Sequence, residues 1–525
     1  MTDREMTRRK FLGTTALAGA AAAAGPYLPG EAKAQTSTKT LRVRTYVTPT
    51  IVDPISTTGA PEADIMDCLY PGLITTKSGS AWGYDLDAAT SIEQVDATHV
   101  KFELRKGMGW SNGFGEVTAE DVKYSYERIA NPENKSPYRG DWAALDRVDA
   151  TSSHTGVIVL KEPFIPLFTT TLPRGSGCIV CKKAVEALDG KRFGLTPPAT
   201  FGAYKVKKIV PRTRFTVERN PDWPGPKPMF DEVDFIDILD ANAAETAFLA
   251  GELDVTIVPM TAVPRLQKAM PPKSKLIVAP SLAYWWIGMQ MEDGIFADKR
   301  VRQAVQYALD VQSVLDGAFF GVAQRSTGIV APGMVGNRPA NKIAKPDLDR
   351  ARKLLAEAGH PRGFKIEIGV RNSAEFINAA QVVAASLANV GITAEVVPSA
   401  AGVQKAQAGD KVNNTWKKMQ MHIVRFSMQP DPSWATVWFT KEQIWEWNWE
   451  RFADPEYNDL HQKALREFDQ KKRHDMYVRM QDIMEDSGAY IFLTHGVNPV
   501  LHRDHFIPGV GPDANRILVT KFKPV

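Results

Sequence analysis

The chain has 525 residues, with 64 Lys and Arg against 60 Asp and Glu, so its formal net charge is +4 at pH 7. A nucleic-acid-binding protein would concentrate basic residues on one face, and no long basic run occurs here, so the composition argues against a nucleic-acid partner. The length is enough for two or three domains that each bury their own core.

The N-terminal segment resembles a twin-arginine export signal. Arg8 and Arg9 precede a mildly apolar stretch rich in Ala and Gly, and the small-x-small pattern of Ala-Lys-Ala at 32–34 suits a signal peptidase. A membrane anchor is the weaker interpretation, because Gly and Pro interrupt the stretch and Ala contributes little transfer free energy. We therefore predict a signal peptide at 1–34, cleavage after Ala34, export by the twin-arginine translocase and a soluble periplasmic product.

Short strands and amphipathic helices are predicted along the rest of the chain. Thr118 with Asp121 three residues later predicts a helix start, and an apolar stripe over 348–358 that ends at Gly359 predicts another helix. Five segments rich in β-branched or aromatic residues predict strands, at 214–218, 233–239, 275–280, 285–291 and 364–370. This mixture is typical of an α/β fold.

Ten short motifs follow one another along the chain. They are VDP (52–54), LYPGLI (69–74), VKFELRKGMGWSNGFGEVTAEDVKYSYERI (100–129), FGAYKV (201–206), VERNPDW (217–223), FLAGELDV (248–255), RVRQAVQYALD (300–310), LDRARKLLAEAG (348–359), SLANVGITAEV (386–396) and PDPSW (430–434). Each is weak alone, but the ten in this order resemble the family-5 solute-binding proteins of ABC importers, which include dipeptide, oligopeptide and nickel receptors.

The resemblance implies a two-lobed periplasmic binding protein, α/β in class, hinge-joined, with an extra subdomain on the larger lobe. By that analogy domain I takes 36–82, 199–298 and 491–525, domain II takes 83–198 and domain III takes 299–490, with the hinge near 298 and 490. The implied protein is a monomer without a cofactor. It performs no chemistry, binds a small-molecule solute between its lobes and delivers it to the membrane permease.

The segment before the Asp-Pro pair departs from the family pattern. Peptide receptors of this family often carry an acidic residue three positions before that pair, where it holds the α-ammonium group of the ligand, and Met428 stands there instead. Arg425 is a nearby cation that would disfavour a free peptide amino terminus. We expect a peptide or peptide-like solute, with an anionic opine or an oligosaccharide as the alternative and a metal or haem receptor as a third interpretation.

Two segments resemble the nickel receptor of the family. Leu-Pro-Arg at 172–174 corresponds to a segment whose Arg lines the ligand cleft, and YRGDW at 138–142 corresponds to an Arg-x-x-Trp motif. The resemblance implies ligand contacts by Arg174, Arg139 and Trp142. Guanidinium groups bind carboxylates bidentately and keep their charge when desolvated, although packing between the lobes is an equally simple role for Arg174.

Tryptophan is the other candidate ligand contact. Trp434 and Trp438 have helical spacing beside the Asp-Pro segment, where aromatic rings could stack on a sugar ring or an apolar side chain. Trp285 and Trp286 alternate along a predicted strand, so at most one of them, taken as Trp286, faces the cleft. Packing within domain III is the alternative for Trp434 and Trp438.

Catalytic motifs are missing from the sequence. It contains no HExxH, Gly-x-Ser-x-Gly or phosphate-binding GxxxxGK[ST] motif, so an exported enzyme is disfavoured. Cys178 and Cys181 form a Cys-x-x-Cys pair, and the only other cysteine is Cys68. Without further signs of an oxidoreductase we expect packed free thiols or a local disulfide rather than a redox site.

Overall fold

The structure is a computed structural model that describes residues 39–56, 59–400 and 402–525. The predicted signal residues Arg8, Arg9 and Ala34 lie outside the described residues. Within the described part, no helix is long and apolar enough to cross a membrane.

A seven-stranded mixed sheet gathers segments that are far apart in the sequence. The strand Thr40–Thr45, the first in the sequence, pairs in parallel with both of its neighbours, Glu232–Asp237 and Val255–Ile257. Parallel pairing requires crossover connections, which usually contain helices. In spatial order the strands are Ser274–Pro280, Val497–Arg503, Val255–Ile257, Thr40–Thr45, Glu232–Asp237, Arg214–Arg219 and Tyr204–Val210. The helices nearest in sequence are Ala60–Leu69, Ala241–Leu249 and Val263–Lys268.

A four-stranded antiparallel sheet lies within the predicted domain II. Its strands, in spatial order, are Ala89–Gln94, His99–Leu104, Thr155–Leu160 and Leu145–Ala150. The helix Ala119–Ala130 begins at the predicted capping box, in which Thr118 and Asp121 each bond the backbone of the other. The helix Lys182–Glu186 follows, and the strands Ile74–Thr76 and Tyr84–Leu86 form a separate hairpin.

A five-stranded sheet forms the centre of the remaining region. Its strands, in spatial order, are Thr393–Ser399, Lys365–Arg371, Met421–Ser427, Ala283–Met289 and Tyr490–Thr494. Alternate residues of the strand Ala283–Met289 enter two separate cores, with Trp285 on one face and Trp286 on the other. Helices cover both faces, and the strand is therefore apolar along its whole length.

The helices of this region are Lys299–Ala308, Val311–Phe319, Leu348–Glu357, Ala374–Ala388, Val403–Ala408, Ser433–Thr436, Pro455–Ala464 and Gln470–Asp486. Five of them begin after an aspartate whose carboxylate accepts backbone N–H groups of the first turn. These aspartates are Asp298, Asp310, Asp347, Asp454 and Asp469. The predicted helix at 348–358 and all five predicted strands are confirmed to within two residues. Short strands at Phe506–Ile507 and Lys523–Pro524 pair near the C-terminus.

The chain passes between the seven-stranded and five-stranded sheets twice, at 281–282 and at 495–496. Both passages adjoin the strands Ala283–Met289 and Tyr490–Thr494 of the five-stranded sheet, and the hinge expected near 298 and 490 stays a prediction. The two crossovers run side by side: the hydroxyl of Ser281 donates to the carbonyl of His495, and the Ser281 N–H donates to the carbonyl of Gly496 at 3.4 Å. The remaining domain boundaries stay predictions.

Candidate ligand-binding site

One cavity of the described residues, called here the main cavity, has a volume of about 450 Å³. It lies at the first crossover, and its walls come from the start of the helix Ala60–Leu69, from 170–176, from 281–283, from 425–429 and from 513–516. Ala283 and Arg425 belong to strands of the five-stranded sheet, whereas 170–176 and 513–516 lie outside the sheets, so a molecule in the cavity contacts several segments that are far apart in the sequence. The volume lies in the usual range for a small-molecule site, about 300–1,000 Å³.

Arg174 lines the main cavity with a half-buried side chain. Its guanidinium makes no hydrogen bond or ion pair with any residue of the described ranges 39–56, 59–400 and 402–525. Burial lowers the pKa of Arg174, and the positive charge of Arg516 lowers it further, while Asp513 and Asp141 oppose the shift. A desolvated cation without a bonded acceptor is costly for the protein alone, and an anionic ligand would remove that cost.

Arg425 lines the same cavity from the strand Met421–Ser427 of the five-stranded sheet. Its guanidinium carbon lies 6.0 Å from the ring centroid of Trp285, and no described residue accepts a hydrogen bond from it. Arg425 is exposed at the surface of the cavity, yet desolvation by the surrounding protein still lowers its pKa, with partial compensation by the negative charge of Glu375. Two arginines therefore approach the cavity, Arg174 from a turn and Arg425 from a strand of the five-stranded sheet, and the guanidinium donors of both are free to bond a ligand.

Arg516 also lines the cavity, but its guanidinium is already bonded. It donates to the carboxylates of Asp64 and Asp67, and the distance to Asp67 is 2.6 Å. Burial raises the pKa of Asp64 to about 7, against the stabilising effect of Arg516. We assign this buried cluster to the structure of the wall rather than to ligand recognition.

The carboxylates of Asp141 and Asp513 also line the main cavity. Asp141 accepts a hydrogen bond of 3.0 Å from the Ser176 hydroxyl, and burial raises its pKa to about 6 in spite of that bond and of the nearby charge of Arg174. Burial likewise raises the pKa of Asp513 above its ordinary range. The negative charge of Asp141 is therefore sensitive to pH near 6, which distinguishes it from the arginines.

Met428 lines the cavity and is 4% exposed. Its backbone N–H donates to the carbonyl of Leu282 at 2.9 Å, which fixes the side chain beside the crossover. The acidic residue of the Asp-Pro pair cannot take the place of the missing acid. Asp431 is fully buried and accepts bonds of 2.8 and 2.9 Å from Arg473. The main cavity thus has an apolar wall at Met428.

The segment YRGDW reaches the main cavity, but through other residues than the predicted ones. Arg139 is exposed and Trp142 is buried, and neither lines the main cavity, whereas Tyr138 and Asp141 do. These residues form the 3₁₀ turn Arg139–Trp142 together with its N-cap residue Tyr138. Trp142 supports the wall from behind, because its indole N–H donates to the Ser176 carbonyl at 3.0 Å.

The other candidate tryptophans pack within the protein. Trp286 is 1% exposed and donates its indole N–H to Glu450 at 2.7 Å, and Trp285 packs on Phe376 at a centroid distance of 4.2 Å. Trp434 and Trp438 contact each other with centroids 6.3 Å apart at the edge of a core. None of the four lines the main cavity, and their ligand roles stay predictions that the cavity does not support.

The sequence reading missed Tyr46, Asn498, Asp513 and Asn515, which also line the main cavity. They stand in loops or at strand ends without a motif of their own.

The three cysteines Cys68, Cys178 and Cys181 are free and buried. Burial raises the pKa of the Cys181 thiol to about 11, so it is not a thiolate at neutral pH. Among the described residues, no group of three His, Cys, Asp or Glu side chains could hold a metal ion.

Comparison with known proteins decides the family. Residues 84–447 match the model of the bacterial extracellular solute-binding proteins, family 5. The chain belongs to this family. It is therefore a solute-binding protein rather than an enzyme, with the two-lobed α/β fold that the motifs predicted.

Individual relatives are distant but cover most of the chain. The periplasmic oligopeptide-binding protein OppA of Escherichia coli K12 is 25% identical over 493 residues, which is 85% of each chain. The glutathione-binding protein GsiB of Shigella dysenteriae serotype 1 is 24% identical over 450 residues, 84% of this chain and 86% of that one. The solved structure of HbpA2 from Haemophilus parasuis has a TM-score of 0.80 at 20% identity, covering 93% of this chain and 100% of that chain.

Proposed function

We propose that this protein is the periplasmic receptor of an ABC importer for an anionic, peptide-like solute. The observation that carries the proposal is the pair Arg174 and Arg425, which line one cavity from segments far apart in the sequence and bond no acceptor among the residues that the structure describes. The solute supplies the acceptor. It is held between the lobes and delivered, by a monomeric receptor, to the permease subunits.

The charge pattern favours an anion over a free peptide amino terminus. A charge-assisted bond between guanidinium and carboxylate is about twice as strong as a neutral hydrogen bond, and it strengthens further where water is excluded. An α-ammonium group placed beside Met428 would meet an apolar side chain there. The carboxylates Asp141 and Asp513 leave room for a second, polar or cationic group elsewhere on the same solute.

The relatives support a peptide-like scaffold. OppA is named for oligopeptides, and GsiB is named for glutathione, which is a tripeptide with two carboxylates. An anionic opine offers the same carboxylate to the two arginines and is the second candidate. Nothing in the pattern of charges favours a neutral oligosaccharide.

Calorimetry with ligand-free protein tests the proposal. The panel comprises free dipeptides, N-acetylated acidic dipeptides, an opine dicarboxylate and a neutral trisaccharide. We expect the acidic blocked peptides to bind most tightly. Preference for the opine would keep the anion site and change the scaffold, whereas preference for an unblocked neutral dipeptide or for the trisaccharide would contradict the proposal.

Export through the twin-arginine translocase is proposed from the sequence of residues 1–34. Replacement of Arg8 and Arg9 by Lys together should leave the precursor in the cytoplasm, because the translocase requires the arginine pair. Cell fractionation and immunoblotting measure the distribution. An unchanged periplasmic yield of the double variant would exclude this route.

A further inference from the structure

A second cavity, of about 240 Å³, lies beside the main cavity. One side is formed by the hairpin residues 82–84 and the turn 165–169, and the other side by 333–335 and 430–432. Its volume lies below the range of about 300–1,000 Å³ that is usual for a complete small-molecule site. It therefore suits one part of a ligand whose remainder lies in the neighbouring space.

The walls of the second cavity are aromatic. Tyr84 and Phe168 stack with ring centroids 5.8 Å apart, and Trp82 is fixed by its indole N–H, which donates to the Pro332 carbonyl at 3.4 Å. All three rings keep exposed surface, 41% in the case of Tyr84. Such surface gains by covering an apolar or aromatic group, through area burial and ring stacking.

The charged side chains that line the second cavity are already paired with each other. Asp431 and Arg473 are the charged residues among its described lining, and they bond each other. The other acceptor positions of Asp431 take bonds from the Ser433 hydroxyl at 2.6 Å and from the Thr169 hydroxyl at 3.1 Å. A charged ligand group would find no partner there, so the second cavity selects an uncharged group.

The two cavities are neighbours, because consecutive residues of the chain line one and then the other. Thr169 lines the second cavity and Thr170 the main one, and on the opposite wall Pro430 lines the second cavity and Gln429 the main one. The hydroxyl of Thr170 and the side-chain oxygen of Gln429 are buried without a hydrogen-bond partner in the described part of the protein. A buried polar atom without a hydrogen bond destabilises the protein. A ligand that bonds both atoms would therefore gain affinity.

We propose that the two cavities form one extended site, which takes an anionic peptide-like solute with an aromatic or large apolar side group. The carboxylate binds at Arg174 and Arg425, an amide group lies between Thr170 and Gln429, and the apolar group enters the space between Trp82 and Phe168. This inference rests on the proposed function, because the anionic end is held in the main cavity. Beyond the carboxylate, it adds an amide and an apolar side group to the parts of the solute that the protein recognises.

The test uses two probes that differ only in the side group, N-acetyl-Phe-Glu and N-acetyl-Ala-Glu. Calorimetry on the ligand-free protein should show that the Phe probe binds about tenfold or more tightly than the Ala probe. Trp82→Ala and Phe168→Ala should bind the two probes nearly equally and keep the affinity of the Ala probe. Trp223→Ala removes a partly buried tryptophan that lines neither cavity, so it should retain the preference.

Gln429→Leu tests the amide contact. It should weaken both probes by about the same factor, several-fold, because the lost acceptor serves the shared backbone. Gln429→Asn keeps an amide and should restore part of the affinity. Equal affinity of the two probes for the wild-type protein, or a preference that survives in both aromatic variants, would overturn the extended site.

Failure of this inference can be separated from failure of the proposed function. If both probes bind equally and Arg174→Ala weakens both, the anion site stands and the extended site falls. If Arg174→Ala and Arg425→Ala bind every anionic compound as well as the wild type does, the proposed function fails, and the extended site fails with it.

Discussion

Two groups of arginines lie around the cleft, and they differ in what their guanidinium groups touch. Arg473 is buried and bonds Asp431, and Arg516 is buried and bonds Asp64 and Asp67. Arg174 and Arg425 line the same region and bond no acceptor within the described residues. A cation that is fully paired inside the protein stabilises the fold, whereas a cation with free donors in a cavity is available to a ligand.

The comparison also shows why an acidic residue near the cleft is not by itself a ligand site. Asp431 stands in the Asp-Pro segment that the sequence marks most clearly, yet its carboxylate bonds Arg473, Ser433 and Thr169. The position that could have met an α-ammonium group is Met428, and it is apolar. The bonding state of each charged group, rather than its distance from the cavity, separates the two roles.

The largest expected effect concerns the paired group. Arg473→Ala leaves the Asp431 carboxylate buried without its cation, and we expect the free energy of unfolding to fall by about 3–5 kcal/mol. Urea unfolding followed by circular dichroism measures the change. The double variant Arg473→Leu with Asp431→Asn should recover part of the loss. A single variant as stable as the wild type would remove the distinction between the two groups.

The next effect concerns the unpaired group. Arg174→Ala and Arg425→Ala should each weaken the anionic solute by about 1.5–3 kcal/mol, about ten- to hundredfold, because a charge-assisted bond is lost. Neither variant should lower the free energy of unfolding, since no protein partner is left unpaired. Arg147→Ala, at an exposed position in the four-stranded sheet, is the matched control and should bind normally.

Affinity should also depend on pH through Asp141. Its pKa is raised to about 6 by burial, so the carboxylate is charged above pH 6 and protonated below it. The charged form opposes an anion beside Arg174, and we expect binding to tighten about two- to fivefold between pH 7 and pH 5 while the solute remains ionised. Calorimetry at four pH values measures the effect. Asp141→Asn should flatten it, and a dependence of the opposite sign would exclude this role.

The same shift has a consequence for stability. Because the pKa of Asp141 is higher in the folded protein than its ordinary value of 3.8, the folded state holds the proton more firmly. This contribution to the free energy of unfolding is present at pH below 3.8 and is lost as the pH rises through about 6. Asp141→Asn should therefore be the more stable protein at pH 7, and urea unfolding of both proteins at pH 4 and pH 7 measures the difference.

The smallest expected change in affinity comes from adding a negative charge to the cavity wall at Met428. Met428→Asp places a carboxylate on the apolar wall, and it should weaken the anionic solute modestly while giving weak affinity for dipeptides with a free amino terminus. Met428→Asn has a similar shape without the charge and is the control. Equal behaviour of the two variants would show that the residue at 428 does not select the charge of the solute.

Local patterns predicted the elements of the fold well. The capping box at Thr118 and the apolar stripe over 348–358 mark helices that the structure contains, because caps and periodicity act within a few residues. The crossover at 281–282 could not be placed from the sequence. The strand Ala283–Met289 is apolar on both faces, and such a pattern does not say which sheet the strand joins.

The site was predicted in part. Arg174, Arg425 and Met428 line the main cavity, and they were singled out by resemblance to a family and by departures from its pattern. The tryptophans were not informative, since a large aromatic ring is as useful in a core as in a ligand site. The bonding of Arg473 and the loop carrying Asp513 depend on contacts between distant segments, which composition and spacing do not reveal.

The most direct test of the account is the charge of the solute that the protein carries. Native mass spectrometry of the protein purified from the periplasm, followed by release and fragmentation of the bound compound, identifies it without a choice of candidates. The account predicts a compound with at least one carboxylate that is absent from Arg174→Ala protein purified in parallel. A neutral or purely cationic solute, retained equally by that variant, would contradict the assignment of the unpaired arginines to ligand binding.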